Sequence, residues 1–385
     1  MKTPLAWHNL LHKSVRTGVA ISGVTFAIVL MFMQLGFLEA VKATATMNYE
    51  ALDFDICIRS RDYGYFSDPR SFPKIRLAEA EGADGVASAT PVFVGIFSWR
   101  NPQTKEPRAI LAIGVPRQAA VFRDEQMQEL ADRALARPAA LLVDTQTRRE
   151  FGPQNGVRFG PDDYGTHVEV NGREFEITGH YTRGAGLTAG GAVLMKDHDF
   201  IDCASYLPGD HVCLGLIRVE PDYDVREVTQ RVASILPRDV EVATRAEVLK
   251  SELDHWVWET NYGLIFQSGV LVAVIVGTAI VYQVLASDVA SLMPEYATLK
   301  AMGYGNWHLV GILLQQSLLL AVFSYAFGVA ISQVLYEITS AGAQIPVRLT
   351  WTNLLTVLGL SVGMCVVSGI AAVRKAFRAE PADLF

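Results

Sequence analysis

The stretch GVAISGVTFAIVLMFMQLGFL, residues 18–38, runs for 21 residues without a charge. A helix of that length at ~1.5 Å per residue is about 30 Å long, the thickness of the hydrocarbon core of a bilayer. A helix apolar on every face over such a distance is expected to cross a membrane rather than to line a soluble core. The apolar core of a signal peptide stops after ~7 to 15 residues at a small-residue cleavage site. This run continues through Phe37, Leu38 and Glu39, so it reads as a retained first span.

Three further stretches have the same character: residues 262–286, residues 307–336 with His308 at the edge, and residues 349–373. Inside lipid each backbone polar group must be satisfied within its own segment, so four helices are the expected form. Charges lie elsewhere. Residues 42–261 hold 25 of the 33 Lys and Arg and 34 of the 40 Asp and Glu, a net charge of −9, while the remaining 165 residues carry +2. The fold class is therefore a membrane protein with four transmembrane helices and a large charged insert between helices 1 and 2. The total charge of −7 leaves no basic stripe for a nucleic-acid backbone, so nucleic acid is excluded as a partner and the lipid bilayer is included.

Lys2, Lys13 and Arg16 before the first span and Arg374, Lys375 and Arg378 after the last place both termini in the cytoplasm. The expected order is a cytoplasmic amphipathic helix (1–17), span 1 (18–41), an external insert (42–261), span 2 (262–286), a cytoplasmic loop (287–306), span 3 (307–336), an external loop (337–348), span 4 (349–373) and a cytoplasmic tail (374–385). In the first of these, Trp7, Leu10, Leu11 and Val15 recur at helical spacing among His8, His12, Lys13 and Arg16, as in an interfacial helix.

The insert reads as mixed α/β. Phe54, Ile56 and Ile58 alternate with Asp55, Cys57 and Arg59. Asn171-Gly172 separates two alternating runs, the strongest short-range hairpin signal. An α/β lobe (42–138 and 201–250) is expected to be interrupted by a β-rich lobe (139–200), with residues 245–261 rising as a stalk. No G-x-x-x-x-G-K-[ST] occurs, and Gly184-Ala185-Gly186 precedes a strand rather than a helix, so neither phosphate-binding loop is present. Neither G-x-S-x-G nor H-E-x-x-H occurs within the insert, which argues against an external hydrolase. Asp197, His198, Asp199 and Asp202 read as a solvated loop and not as a metal site. Cys203 and Cys213, ten residues apart on the oxidising side, are either a disulfide or two buried thiols.

Within the spans, Gly23 and Ala27, Ala273 and Gly277, and Gly359 and Gly363 are small pairs at i and i+4, spacing that lets helices approach in a bundle or a dimer. Gln34, Gln267, Gln283, Gln315 and Gln316 are expected to bond between helices. No acid or base sits in mid-span, which argues against an ion-coupled pump. The cytoplasmic loop SDVASLMPEYATLKAMGYGN, residues 287–306, reads as a short amphipathic helix over 295–302, started near Pro294 and stopped by Gly303.

One span, an external insert and three clustered spans, with EYATLKAMGY between the second and third, resemble the FtsX/MacB-type permeases of ABC systems, and among them the DevC branch. The resemblance extends to FMQLGF (32–37), NPQT (101–104), EFGP (150–153), VYQ (281–283), Arg374-Lys375 and PADLF (381–385). It implies a MacB-like mechanotransmitter: a non-catalytic homodimer in the bacterial inner membrane, bound by two copies of an ABC ATPase that carries the ATP and Mg. The chain itself would bind no cofactor and no metal. Glu295, Tyr296, Leu299, Lys300, Met302 and Gly303 would form the ATPase-coupling helix. The insert would be periplasmic and would drive cargo, glycolipid-like in the DevC branch, toward a membrane-fusion adaptor and a TolC-like outer-membrane channel. The alternative implied is an FtsX-like signalling permease that controls a cell-wall hydrolase.

Overall fold

The structure, a computed structural model, describes residues 14–184, 186–301, 306–343 and 347–378. In chain order its elements are α1 (Ser14–Ala51), β1 (Ile56–Ser60), β2 (Phe72–Pro73), α2 (Ile75–Glu81), β3 (Val86–Arg100), β4 (Pro107–Val115), α3 (Glu125–Ala134) and β5 (Ala140–Asp144). They continue as β6 (His167–Val170), β7 (Arg173–Tyr181), β8 (Ala192–Lys196), α4 (Asp197–Cys203), β9 (His211–Val212), β10 (Leu214–Val219), α5 (Val225–Ile235), β11 (Val240–Thr244) and α6 (Arg245–Asp254). Three long helices end the described chain: α7 (Asn261–Ala301), α8 (Asn306–Ala343) and α9 (Trp351–Arg378). Contacts divide the chain into two units, Lys42–Glu259 and the long helices on either side of it in sequence.

In Lys42–Glu259, nine strands form one sheet in the order β11-β1-β10-β3-β4-β8-β5-β7-β6, and β3 also pairs with β6. β3 explains this topology. Its first half pairs antiparallel with β10, its second half with β4, and its last residues, Trp99 and Arg100, with Val170 and Glu169 of β6. The six strands from β3 round to β6 therefore close on themselves, while β11, β1 and β10 extend the sheet on the open side. Residues 139–200, read as a separate lobe, supply β5 to β8 of this same sheet. Pairings of β4 with β8 and of β5 with β7 are parallel, so each joins segments far apart in sequence.

Two apolar cores flank the open strands. Ile56, Ile58 and Ile217 face one with Leu77 of α2 and Val228 and Val232 of α5. Cys57 and Leu216 face the other with Tyr49, Phe54 and Val248. β1 is buried at all five positions, so the alternation read in its sequence separates two buried faces, not a buried one from a wet one. Arg59 tolerates its place because its Nε reaches Glu241 Oε2 at 2.9 Å and its guanidinium lies over the Tyr63 ring.

The segment read as a stalk is docked instead. α6 packs on β1 and β11, Val248 is fully buried, and Thr244 caps the helix with Glu247 in a reciprocal box. A π turn, His255–Glu259, follows with Trp256 and Val257 buried. The residues that expectation left unexplained, Val248 and Glu252, are those that face inward.

The second unit holds the helices. Among the described residues, four stretches are long and apolar enough to cross a membrane: Thr17–Ala51, Asn261–Ser287, Leu314–Ser340 and Trp351–Ala372. Their inner faces share a core of Val24, Ile28, Phe32, Val281, Leu320 and Met364, among others. Phe26, Leu271, Ile275, Phe327 and Leu355 point outward, where lipid would meet them. The expected amphipathic helix over 1–17 falls mainly on residues 1–13, outside the described residues, as does the tail from 379.

Candidate functional site

The coupling segment is not a separate helix. α7 runs without interruption from Asn261 to Ala301, so Glu295, Tyr296, Leu299 and Lys300 lie on its last turns, and Pro294 lies inside it rather than at a start. Proline removes one backbone donor from a helix interior. Glu295, Ala297, Leu299, Lys300 and Ala301 are strong helix formers and carry the helix past it. Glu295 and Leu299 are four apart, as are Tyr296 and Lys300, so the four residues occupy two adjoining stripes. Met302 and Gly303 lie outside the described residues.

Two of the three small pairs meet. A Cβ on Gly277 would stand 2.6 Å from Met364 Sδ and 3.1 Å from Ala27 Cβ, and one on Gly23 would stand 3.0 Å from Ile280, while Ala273 is fully buried. α1 and α7 thus touch through Gly23 against Ile280 and Ala27 against Gly277. Gly359 and Gly363 behave differently: nothing among the described residues lies within 4 Å of a Cβ built on either.

Hydroxyl groups supply ties that the spacing of glycines did not signal. Thr25 donates to the Ser324 carbonyl and Ser324 to the Ile21 carbonyl, both at 3.3 Å, a reciprocal pair between α1 and α8. Ser368 donates to Thr278 O at 2.7 Å and Tyr325 to Leu354 O at 2.9 Å. Tyr336 donates to Phe32 O, beside Gly36 of the FMQLGF stretch. Gln34, expected to bond across helices, packs against Gly269 instead, and its Oε1 has no hydrogen-bond partner among the described residues.

In the insert, NPQT and EFGP are neighbours. Asn101 Nδ2 donates to Glu150 O at 2.8 Å, and its Oδ1 accepts from the amides of Gln103 (2.8 Å) and Thr104 (3.0 Å). Gln103 Nε2 donates to Pro153 O at 3.3 Å and Trp99 Nε1 to Phe151 O at 3.0 Å. Gly152, at φ 89°, leaves the space that the Asn101 side chain fills. Asp144 ends β5 fully buried. Its carboxylate accepts from the amides of Gln146, Arg183 and Gly184 and so holds the glycine turn, although desolvation still raises its pKa.

Cys203 and Cys213 are free thiols and form no disulfide. They belong to α4 and to the turn between β9 and β10, and each donates to a different carbonyl: Cys203 to Val170 O at 3.7 Å and Cys213 to Val94 O at 3.5 Å. Burial pushes both up to about 11, which keeps them protonated and unreactive. Residues 197–203 form α4 rather than a loop, with Phe200 buried against Phe93 and Phe97.

An opening of about 850 Å³ lies beside the middle of β3, lined among others by Tyr65, Asp68, Arg70, Ile96 and Tyr206. Gly95 makes room for the Tyr206 hydroxyl, 2.5 Å from where a Cβ would stand. Near it, Tyr49, Tyr63 and Glu252 form a buried chain: the two phenols are 2.8 Å apart and Tyr63 donates to Glu252 Oε1. Burial raises the pKa of Glu252 above the usual carboxylate range, and its Oε2 has no partner among the described residues. No sequence motif marks this chain.

Residues 17–235 match the MacB-like periplasmic core domain, and residues 268–381 match the FtsX-like permease C-terminal family. No curated protein matches. Among solved structures, the periplasmic region of MacB from Actinobacillus actinomycetemcomitans is similar at 10% identity and a TM-score of 0.36, covering 52% of this chain and 94% of its own. The extracellular domain of the noncanonic ABC-type transporter YknZ from Gram-positive bacteria is similar at 14% identity and a TM-score of 0.32, covering 49% and 98%. With the first match covering more than half of the sequence and the second following it across the last three apolar helices, the chain belongs to the FtsX-like permeases with a MacB-like periplasmic core domain.

Proposed function

We propose that the chain is the permease subunit of an ATP-driven tripartite exporter and works as a mechanical lever. Members of the family work with ABC ATPase partners. The observation that carries the reading is the length of α7: 41 residues, about 60 Å at ~1.5 Å per residue, roughly twice what a bilayer requires. A helix this long, starting directly after the insert, is suited to carry a displacement from a cytoplasmic partner across the membrane. Glu295, Tyr296, Leu299 and Lys300, with Met302 and Gly303 beyond them, are the residues that would sit in the ATPase.

In this proposal two chains form a dimer in the bacterial inner membrane with cytoplasmic termini, and two ATPase subunits hold the ATP and Mg. The periplasmic domains pass a lipophilic cargo to a membrane-fusion adaptor and a TolC-like channel, and the DevC resemblance makes a glycolipid the first cargo to test. The chain itself does no covalent chemistry. Co-purification with the cognate ATPase tests the lever: Glu295→Lys is expected to reduce recovered ATPase about tenfold, as for a lost charged contact, with membrane insertion unchanged. Unchanged recovery together with unchanged cargo export sinks the coupling role.

A further inference from the structure

From Trp307 to Val373 the sequence carries two formal charges, Glu337 and Arg348. Both line one opening of about 500 Å³, together with Gln333, Tyr336, Ser340 and Leu349. Opposite charges brought to one cavity normally pair, yet among the described residues no ion pair joins these two or occupies either one. Glu337 receives one hydrogen bond, from Gln333 Nε2 at 3.1 Å, within its own helix. The cavity therefore offers an anionic acceptor, the Glu337 carboxylate, and a cationic donor, the Arg348 guanidinium, together with the Gln333 amide, the Ser340 hydroxyl and an apolar lining of Tyr336, Val347 and Leu349.

Its depth in the bilayer follows from its neighbours. Gln333 to Ser340 end the third apolar stretch and Leu349 stands two residues before the fourth. Ile338 and Trp351 are exposed, at 63% and 81%, beside these polar groups. An outward tryptophan next to a helix end marks the headgroup layer. The chain crosses once with α7 and returns with α8, so this end of α8 belongs to the leaflet on the periplasmic side.

We propose that this opening is a seat for a zwitterionic phospholipid headgroup, with Arg348 on the phosphate and Glu337 on a primary ammonium, in the manner of phosphatidylethanolamine. A guanidinium holds phosphate oxygens by paired N–H donors, and a carboxylate prefers an ammonium that can donate hydrogen bonds over a quaternary one that cannot. An anionic headgroup would satisfy Arg348 and leave Glu337 opposed by like charge. The acyl chains would lie along the apolar lining and the outward face of α8. This seat is independent of the export reading, since a permease of either kind could hold it.

Native mass spectrometry of the full chain, released from nanodiscs containing equal phosphatidylethanolamine, phosphatidylcholine and phosphatidylglycerol, tests the seat without any substitution. The expected result is retention of phosphatidylethanolamine over phosphatidylglycerol by about tenfold, with phosphatidylcholine between them. Glu337→Gln should bring the three lipids to near-equal retention, and Arg348→Gln should lower all three. Soluble phosphoethanolamine at matched concentration should not displace the lipid. Equal retention of the three lipids by the unaltered chain overturns the proposal, as does a Glu337→Gln variant with the selectivity intact. Displacement by soluble phosphoethanolamine would overturn the lipid assignment and identify a soluble zwitterion instead.

Discussion

The carboxamide of Asn101 satisfies three backbone groups at once, two amides of its own turn and the Glu150 carbonyl, while only 4% exposed. Asn101→Ala would strand these groups in a place water reaches poorly. The expected cost is about 2 to 3 kcal/mol, visible as a lower melting temperature of the full-length protein. Gly152→Ala should be at least as harmful, because φ 89° disfavours any Cβ and the Asn101 side chain fills the space. Equal melting temperatures for both variants and the parent would show that the two motifs do not hold each other. Glu252 makes a different prediction. Its folded pKa is raised by burial, so the ionised form is the costly one. Stability is then greatest below the ordinary glutamate value of about 4.3 and is lost as pH rises through the raised folded value. Glu252→Gln should flatten that part of the pH profile and raise the melting temperature at neutral pH; a profile with unchanged slope would place the titration on another group.

The β6–β7 hairpin shows how an element decides the closure of the sheet. Val170 pairs with Arg173 across a two-residue turn in which Asn171 and Gly172 both have positive φ, 49° and 80°. Asn171 also binds β3: its amide donates to Ser98 O at 2.8 Å and its Oδ1 accepts from Ser98 N at 2.7 Å. Gly172→Val is expected to cost about 1 to 2 kcal/mol and, by tilting the hairpin, to speed amide hydrogen exchange at residues 98–100 more than along β10. Uniform exchange across β3 would show that the ring does not depend on the turn. This hairpin was legible from Asn171-Gly172 because its information is local. The ring was not, because it rests on Trp99 meeting Val170 and on two parallel pairings, contacts whose partners no local pattern names. For the same reason a buried Val248 and Glu252 read as a free stalk, and a proline inside α7 read as a helix start. Of the candidate site, the small pairs were visible as spacing. The ties from Thr25, Ser324 and Tyr336 were not, since a lone hydroxyl in an apolar run has no period to betray it.

Across the whole molecule, the three small-residue pairs of the spans divide by what they touch. Gly277 faces Met364 and Ala27 in the chain's own bundle, whereas Gly359 and Gly363, on exposed turns of α9, meet nothing among the described residues. If the two kinds of pair serve different contacts, substitutions should separate them. Gly277→Leu must displace Met364 and Ala27, an overpacking worth about 1 to 3 kcal/mol, and should lower the melting temperature whatever the oligomeric state. Gly359→Leu with Gly363→Leu adds side chains to open space, so the monomer should melt as before. A second copy that approaches through these glycines could no longer do so, because small residues four apart set how near two helix backbones can come. Cross-linking in native membranes, read alongside mass photometry of the purified protein, should then show a dimer for the parent and for Gly277→Leu at permissive temperature, and a monomer for the double variant. A double variant that remains dimeric would move the dimer contact off this face of α9, and one that loses stability as Gly277→Leu does would show that the glycines serve the bundle after all.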